Sequence, residues 1–374
     1  MDGINKGCHM SNESKHSPEN SPFALKKTSL QGVYSFVPPP KGTDLTKASR
    51  TTQLKHGLLM RRPDPEKEPK RFALWTKFIT ETWTEENFIE PTFGPPGVVS
   101  RRGSSGGSRV PGGNVTSPVW SGVAVAGSWV GAMGVWKVPT VSQPATSIGQ
   151  APSWLAYTWV GMDGAAGVVP GATTYDVLQA GVMQSVLPDG STTCTAFFEW
   201  FVGDYQTVLN NYPNQFNYVL PIPITSFTVS PGDVISVVTQ YVKNASSSIG
   251  NPIPPAGPYS FGGVIVANVT TNKAVNLYLP PPPGASFAGD TAEWIIECPY
   301  GVSLPNGGDG GTLPKFTSIQ FNEASACNVL DATPESYLGV ELQKGTTIQF
   351  LDVYGNKETK SSGSLGEVNI SYLG

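Results

Sequence analysis

Histidine is absent from residue 114 onward, and this absence excludes several classes of enzyme. All three histidines lie in the first part of the chain, at His9, His16 and His56. A Ser-His-Asp or Cys-His nucleophile therefore cannot form within residues 114–374. The HExxH zinc helix and other histidine-built metal sites are excluded for the same reason. We expect no metal and no cofactor, and the chemistry that is left belongs to carboxylates and amides.

Charged residues are scarce as well, at 14% of the chain, and they are unevenly placed. Residues 1–113 hold 17 Lys+Arg and 11 Asp+Glu, a net of +6, and residues 114–374 hold 7 and 17, a net of −10. The acidic part lacks the basic footprint that nucleic acid requires. The two parts are predicted to attract each other at neutral pH, and a solvated basic tail is the alternative interpretation.

Long apolar runs are missing too. None approaches the ~20 residues that a membrane-crossing helix needs, and MDGINKGCHMSNESKH at the start contains no apolar core of a secretory signal. Cysteine is limited to Cys8, Cys194, Cys298 and Cys327. At most one disulfide can form within residues 114–374, and Cys298 with Cys327 is one possible pair.

The first 113 residues read as a basic leader. Residues 1–65 are polar and rich in proline, which predicts a largely disordered segment. Within 66–90, apolar residues recur at three- and four-residue steps, at Phe72, Trp75, Ile79 and Trp83, which predicts a helix that packs on another surface. Residues 94–113 form a Gly/Ser/Pro linker, and Arg101 and Arg102 within it make a candidate processing site.

The remaining residues, 114–374, are typical of an all-β domain. The chain has 42 glycines and 34 prolines, and short runs rich in Val, Thr, Tyr, Phe and Trp alternate with turn residues. With no convincing helix between them, the strands should form an antiparallel two-sheet β-sandwich of the jelly-roll type. The predicted strands are 122–138, 154–163, 173–187, 192–203, 225–229, 233–242, 260–268, 273–279, 291–299, 314–323, 336–342, 347–354 and 364–372.

Alternation along these strands places three polar side chains among apolar ones. Glu293 shares a face with Ile295 and Glu297, Glu199 lies between two phenylalanines on its face, and Gln179 shares a face with Gly181. A carboxyl in such a strand is partly desolvated, which raises its pKa and suits acid–base work. The alternative is that these residues line the exposed face of an edge strand.

Six motifs, taken in order, resemble those of the eqolisins, or glutamic peptidases. They are TSPVWSGVAV at 116–125, GVWKVPTV at 134–141, WVGMDG at 159–164, LQAGV at 178–182, FEWF at 198–201 and AEWIIE at 292–297. Each motif alone is weak evidence, but the six in the family's order are specific together. One departure is Val119, which precedes Trp120 where the family usually has asparagine.

The resemblance implies an acid-acting endopeptidase in which water attacks the peptide bond directly. Glu293 would act as general base and then general acid, and Gln179 would stabilise the oxyanion. Trp159 would line a concave groove. The supporting residues would be Asp163, Glu199, Trp200 and Glu297. The substrates would be polypeptides.

The resemblance also implies that the chain is made as a proenzyme, with residues 1–113 as an intramolecular inhibitor of the domain at 114–374. The leader is predicted to let go of the acidic domain as carboxylates protonate. We expect a monomer that acts outside the cell or in an acidic compartment.

Two other functions stay open at the level of sequence. A jelly roll with two inward carboxylates, here Glu199 and Glu293, is also the arrangement of a glycoside hydrolase. A non-catalytic carbohydrate-binding module that uses tryptophan and tyrosine as platforms is the third interpretation.

Overall fold

A computed structural model describes most of the chain. The described residues are 23–59, 62–67, 69–82, 84–97, 113–144, 154–242, 260–299, 302–303, 309–310, 313–328, 342–351 and 356–374. Arg101, Arg102, Trp83 and residues 336–341 of the strand predicted at 336–342 fall outside these ranges, and Leu342 begins a short 3-10 helix rather than ending a strand.

Two large sheets form the β-sandwich that the strand pattern predicts. The nine-stranded sheet contains, in spatial order, β1 Leu25–Lys27, β2 Tyr34–Phe36, β13 Lys273–Leu279, β12 Phe261–Asn268, β11 Val234–Val242, β5 Gly131–Lys137, β18 Ile319–Cys327, β21 Glu367–Tyr372 and β20 Thr359–Ser364. The eight-stranded sheet contains β10 Ile222–Thr228, β9 Thr192–Phe201, β8 Val177–Val186, β7 Trp154–Met162, β14 Thr291–Glu297, β4 Trp120–Ala126, β19 Thr346–Phe350 and β3 Asn114–Ser117. Neighbouring strands are antiparallel except β19 and β3, which are parallel.

Smaller elements complete the described fold. Two short strand pairs are β6 Val141–Ser142 with β17 Lys315–Phe316, and β15 Val302–Ser303 with β16 Asp309–Gly310. The helices are α1 Arg50–Lys55, α2 Pro69–Thr82 and α3 Tyr205–Asn211. No helix among the described residues is long and apolar enough to cross a membrane.

The strand predictions are right in most of the chain, with the following corrections. The single strand predicted at 314–323 is two strands in different sheets, β17 and β18. The expectation of a domain without helices is wrong, because α3 follows β9. The single strand predicted at 122–138 is two strands in different sheets, since β4 ends at Ala126 and β5 begins at Gly131. Between them, the backbone N–H groups of Gly127 and Trp129 donate to the loop before β14. Apolar alternation continues through this corner and therefore does not reveal it.

The main core lies between the sheets and is built from the inward faces of both. Its largest side chains include Trp136, Trp200, Trp294 and Phe198, all buried. The indole of Trp294 on β14 also donates to the backbone oxygen of Met133 on β5, at 2.8 Å. This bond ties a central strand of one sheet to the other sheet. The three described cysteines form no disulfide, so the pairing of Cys298 with Cys327 is not found.

Part of the leader is folded, contrary to the expectation for residues 1–65. Within 23–59 it forms β1, β2 and α1, and β2 pairs with β13 of the domain. The helix predicted within 66–90 is confirmed as α2, which begins at Pro69, a favoured first helical residue. Trp75 and Ile79 of this helix pack against Val238 and Ile265 on the outer face of the nine-stranded sheet.

Gly181→Ala should destabilise the sandwich. The added methyl group of residue 181 would lie 2.7 Å from Cα and 2.8 Å from Cβ of Trp159 on the neighbouring strand. Overpacking of this kind costs about 1–3 kcal/mol. The free energy of unfolding, measured in denaturant, should fall by that amount. Thr192→Ala, at the exposed end of β9, should change it by less than about 0.5 kcal/mol, and equal losses in the two variants would contradict the argument.

Candidate active site

Strand register brings the predicted carboxylates and the glutamine into one row. Glu293 on β14 lies opposite Gly161 on β7, Gly161 lies opposite Gln179 on β8, and Gln179 lies opposite Glu199 on β9. Directly opposed residues point to the same face of an antiparallel sheet. The predicted faces of the three strands are therefore confirmed: β14, β8 and β9 contribute side chains to one row, and β7 contributes a glycine.

Gly161 leaves a gap in the middle of this row. Two strand spacings separate the backbones of Glu293 and Gln179, about 10 Å in an ordinary sheet. A Cβ atom at residue 161 would lie 2.9 Å from Cζ3 of Trp159 and 3.1 Å from Cβ of Gln179. Close neighbours therefore exclude a side chain at this position, and Gly161 places only backbone between the carboxyl and the amide.

Glu199 orients the glutamine. The side-chain nitrogen Nε2 of Gln179 donates to Oε2 of Glu199 at 2.5 Å, and both side chains are almost wholly buried. This hydrogen bond fixes which end of the amide carries the N–H groups. The nitrogen of Gln179 is therefore on the side of Glu199.

Trp159 and Glu297 form a second buried polar contact on the same face. The indole nitrogen Nε1 of Trp159 donates to Oε2 of Glu297 at 2.8 Å. The ring also contacts Trp120 edge to face, with centroids 5.3 Å apart. The opposite edge of the indole points to Gly161. Trp159 therefore lies beside Gly161, and Glu297 fixes its orientation.

Asp163 ends β7 and holds the loop that precedes β14. Its φ angle is 68°, and the next residue is a glycine with φ of 93°. Its carboxylate accepts hydrogen bonds from the backbone N–H groups of Ala288, Gly289 and Asp290, at 2.9–3.0 Å. Burial raises the pKa of Asp163 to about 7 despite these three donors. Residues 288–290 lead directly into β14, so Asp163 helps to hold that strand in position.

Glu293 is the most isolated ionisable group of the site. It is wholly buried, and neither carboxyl oxygen has a hydrogen-bond partner within the described part of the chain. Burial raises its pKa well above the usual range, and the negative charges of Asp163 and Asp290 raise it further. The nearby Thr291 hydroxyl opposes this rise, although it lacks the geometry of a hydrogen bond. Burial thus favours the neutral form of this carboxyl.

The structure corrects two expectations about the groove. Glu293, Gln179, Glu199 and Trp159 are at most 1% exposed, so the groove is closed rather than open. Trp200, proposed as a supporting residue, lies on the opposite face of β9 in the core between the sheets. It packs edge to face on Tyr241 of the other sheet.

Several residues of the site were not predicted from the sequence. One is Gly161, although it lies within the motif at 159–164. Another is Asp176, whose carboxylate accepts from the backbone N–H groups of Gly203 and Ser286. A third is Asp290, which accepts from the backbone and hydroxyl of Thr173. Only strand register and loop contacts identify them. Among the described residues, no cluster of His, Cys, Asp and Glu has the arrangement of a metal site.

Glu293→Gln should flatten the dependence of stability on pH. A carboxyl with a raised pKa in the folded state binds its proton more tightly there than in the unfolded chain. The stability that it contributes is complete below its unfolded pKa and is lost as pH rises through the folded pKa. We expect the wild-type free energy of unfolding to fall from pH ~4 towards pH ~8, and the slope to be smaller in Glu293→Gln.

Denaturant unfolding at several pH values checks this prediction. Glu323→Gln serves as the matched control, because Glu323 is exposed on β18 and should leave the slope unchanged. A slope that is the same in Glu293→Gln and wild type would show that the carboxyl is not neutral in the folded protein.

The model of the Peptidase A4 family matches residues 118–253 and 255–372. Among curated protein sequences, none is similar to the chain.

Solved structures with a similar fold come from the same group of enzymes. Scytalido-glutamic peptidase with a transition state analog inhibitor has 21% identity and a TM-score of 0.46, and the match covers 68% of this chain and 98% of that one. SCP-B, an eqolisin in complex with the tripeptide Ala-Ile-His, has 21% identity, a TM-score of 0.44 and the same coverage. Aspergilloglutamic peptidase from Aspergillus niger has 23% identity and a TM-score of 0.38, covering 59% of this chain and 99% of that one.

The family match extends through both sheets, from the start of β4 to the end of β21, and includes every residue of the row that contains Glu293 and Gln179. The chain belongs to the Peptidase A4 family, the eqolisins, and is a glutamic endopeptidase.

Proposed function

We propose that the protein is an acid-acting endopeptidase in which Glu293 and Gln179 form the catalytic pair. The observation that carries this assignment is their shared row, with the gap at Gly161 between them. A general base and an oxyanion donor must face the same reacting carbon from two sides. The row provides this arrangement without histidine or metal.

The proposed reaction has one tetrahedral intermediate. Ionised Glu293 takes a proton from a water molecule, and the hydroxide oxygen attacks the scissile carbonyl carbon. The N–H of Gln179 that does not bond to Glu199 donates to the oxyanion that forms. Glu293 then gives its proton to the leaving nitrogen, the C–N bond breaks, and the carboxyl product and the amine leave.

The neighbouring residues hold this pair in place. Glu199 acts through Gln179, because its hydrogen bond fixes the rotation of the amide. Glu297 acts through Trp159 in the same way, and the indole lines the gap. Asp163 acts through the loop at 288–290 that leads into β14.

The closed groove gives a physical reason for a latent precursor. A protonated Glu293 cannot accept a further proton, and burial favours that form because it raises the pKa. Water that enters an open groove would solvate the carboxylate and lower its pKa, which creates the general base. Opening of the groove and activation of the base are then the same event.

The leader is proposed as the intramolecular inhibitor, since its last described residues reach the catalytic face. The backbone N–H of Gly97 donates to Pro221 at 2.7 Å. A Cβ atom at residue 97 would lie 3.0 Å from the hydroxyl of Tyr157 and 3.4 Å from Sδ of Met183. Both side chains are on the face that carries the row.

Cleavage of the linker at Arg101 and Arg102 would free this end of the leader, and we propose these residues as the processing site. We also propose that the substrates are polypeptides, that the protein is a monomer, and that it acts outside the cell or in an acidic compartment.

A glycoside hydrolase that uses Glu199 and Glu293 is a poorer fit to the geometry. Gly161 and Gln179 separate the two residues in the row, so their backbones are three strand spacings apart, about 14 Å. Glu199 also binds the glutamine directly. The family assignment excludes the non-catalytic carbohydrate module as the function of this chain.

Loss of either catalytic side chain should abolish peptide cleavage. The full chain, cut within the linker, is incubated with acid-denatured protein from pH ~3 to ~7. Glu293→Gln and Gln179→Ala should each lower turnover by at least about 10³-fold, because one removes the proton acceptor and the other the oxyanion donor.

Glu323→Gln is the control and should retain wild-type turnover. Cleavage that survives either substitution in a folded variant would overturn the assigned pair. Release of sugars without peptide cleavage would support the hydrolase alternative.

Gly161→Ala tests the gap itself. The added methyl group would occupy the space between Glu293 and Gln179 and would press on Trp159. Misplacement of reacting groups by about 1 Å lowers rates by about 10²-fold, and we expect a loss of that size in kcat. Thr192→Ala should leave kcat unchanged. A wild-type kcat in Gly161→Ala would show that the gap is not part of the reaction site.

A further inference from the structure

On one side, β13 is the outermost strand that the domain itself contributes to the nine-stranded sheet. The leader pairs with this strand at two places. Near the middle of the leader, Tyr34 pairs with Tyr278 of β13 as part of β2. Further along, the N–H of Ile89 donates to the oxygen of Ala274 at 2.9 Å, and the N–H of Ala274 donates to the oxygen of Asn87 at 2.8 Å. Both ends of β13 are therefore paired by the leader. An uncovered edge of this length would be open to pairing with another chain.

The leader also buries an apolar surface on the outer face of the same sheet. The domain contributes Val238, Val242, Phe261 and Ile265, each at most 3% exposed. The leader residues packed on this surface are Phe23, Phe36, Leu45, Leu54, Leu58, Leu59, Trp75 and Ile79. An apolar face of this kind is rarely left open on a soluble protein. The catalytic row is on the other sheet, so this contact is separate from the groove.

The contact contains little that responds to pH. Every ion pair between described residues lies within the leader: Lys26–Glu90, Lys41–Glu86, Lys47–Asp44 and Lys67–Asp64. The domain's Lys273 reaches the leader, but its Nζ atom donates to the backbone oxygen of Glu86 at 2.8 Å. The buried His56 bonds within the leader, to the oxygen of Val37. Backbone hydrogen bonds, apolar contacts and a few side-chain hydrogen bonds such as that of Lys273 hold the two parts together, and none of these contacts is an ion pair between the two parts.

We propose that residues 23–90 are a permanent subunit of the enzyme. They stay bound to the outer face of the nine-stranded sheet after the linker is cut, at acidic as well as neutral pH. The active form is then a complex of two chains, and only the end of the leader near the groove moves. This inference does not rest on the catalytic assignment. It replaces the prediction from charge that the leader lets go as carboxylates protonate.

A cut-and-separate experiment tests the proposal. The recognition sequence of a site-specific protease replaces residues 103–108 of the full chain, which carries Glu293→Gln to prevent self-digestion. After the cut, size-exclusion chromatography is run at pH ~7 and at pH ~4. We expect the two fragments to elute together in equal amounts at both pH values. A leader fragment that elutes by itself at either pH would overturn the proposal.

Two variants show which surface holds the fragments. Leu58→Asp with Ile79→Asp places charges in the apolar contact and should release the leader fragment after the cut. Lys41→Asp, at an exposed leader position, should leave the fragments together. If the double variant fails to fold, hydrogen exchange of residues 274–279 in the cut wild-type protein gives the answer. Protection equal to that of the uncut chain supports the subunit, and loss of protection refutes it.

Discussion

The register of four strands, β14, β7, β8 and β9, is the constraint on which the site depends. A shift of one residue in any of them would move its polar side chain to the opposite face, into the core between the sheets. Trp294 opposes such a shift on β14, since its ring fills that core and its indole bonds to Met133 across the sandwich. The packing of one face thus fixes the chemistry of the other. This is why the large aromatic residues next to Glu293 and Glu199 matter without touching the reaction site.

Several parts of the site followed from the sequence because alternation is a local property. The faces of Glu293, Gln179 and Glu199 depend only on their own strands and were predicted correctly. The pairing of β14 with β7 joins residues more than a hundred positions apart, so the place of Gly161 beside Glu293 is not visible in the sequence. Trp200 illustrates the opposite error. Its motif suggested a supporting role, while simple alternation with Glu199 already placed it on the core side.

The folded structure of residues 23–59 is not visible in their own sequence, because it depends on contacts with the domain. Residues 23–59 contain short apolar runs without helical or strand periodicity, which is the usual signature of a disordered segment. They fold because the outer face of the nine-stranded sheet offers an apolar surface and an unpaired edge. Net charge was also a poor guide. The basic leader and acidic domain are held by apolar contacts, and the described ion pairs lie within the leader.

The parallel pair of β3 and β19 has a consequence for the order of folding. β3 begins at Asn114, yet its partner is the segment Thr346–Phe350, more than two hundred residues later. Ser121 in β4, the next strand along the chain, likewise bonds to Thr359 and Ser361. During synthesis β3 therefore cannot pair until β19, near the end of the chain, has been made. Contacts between residues so far apart in the sequence make folding slow. β13 is complete much earlier, so the leader can protect that edge while the other end of the sandwich is still being made.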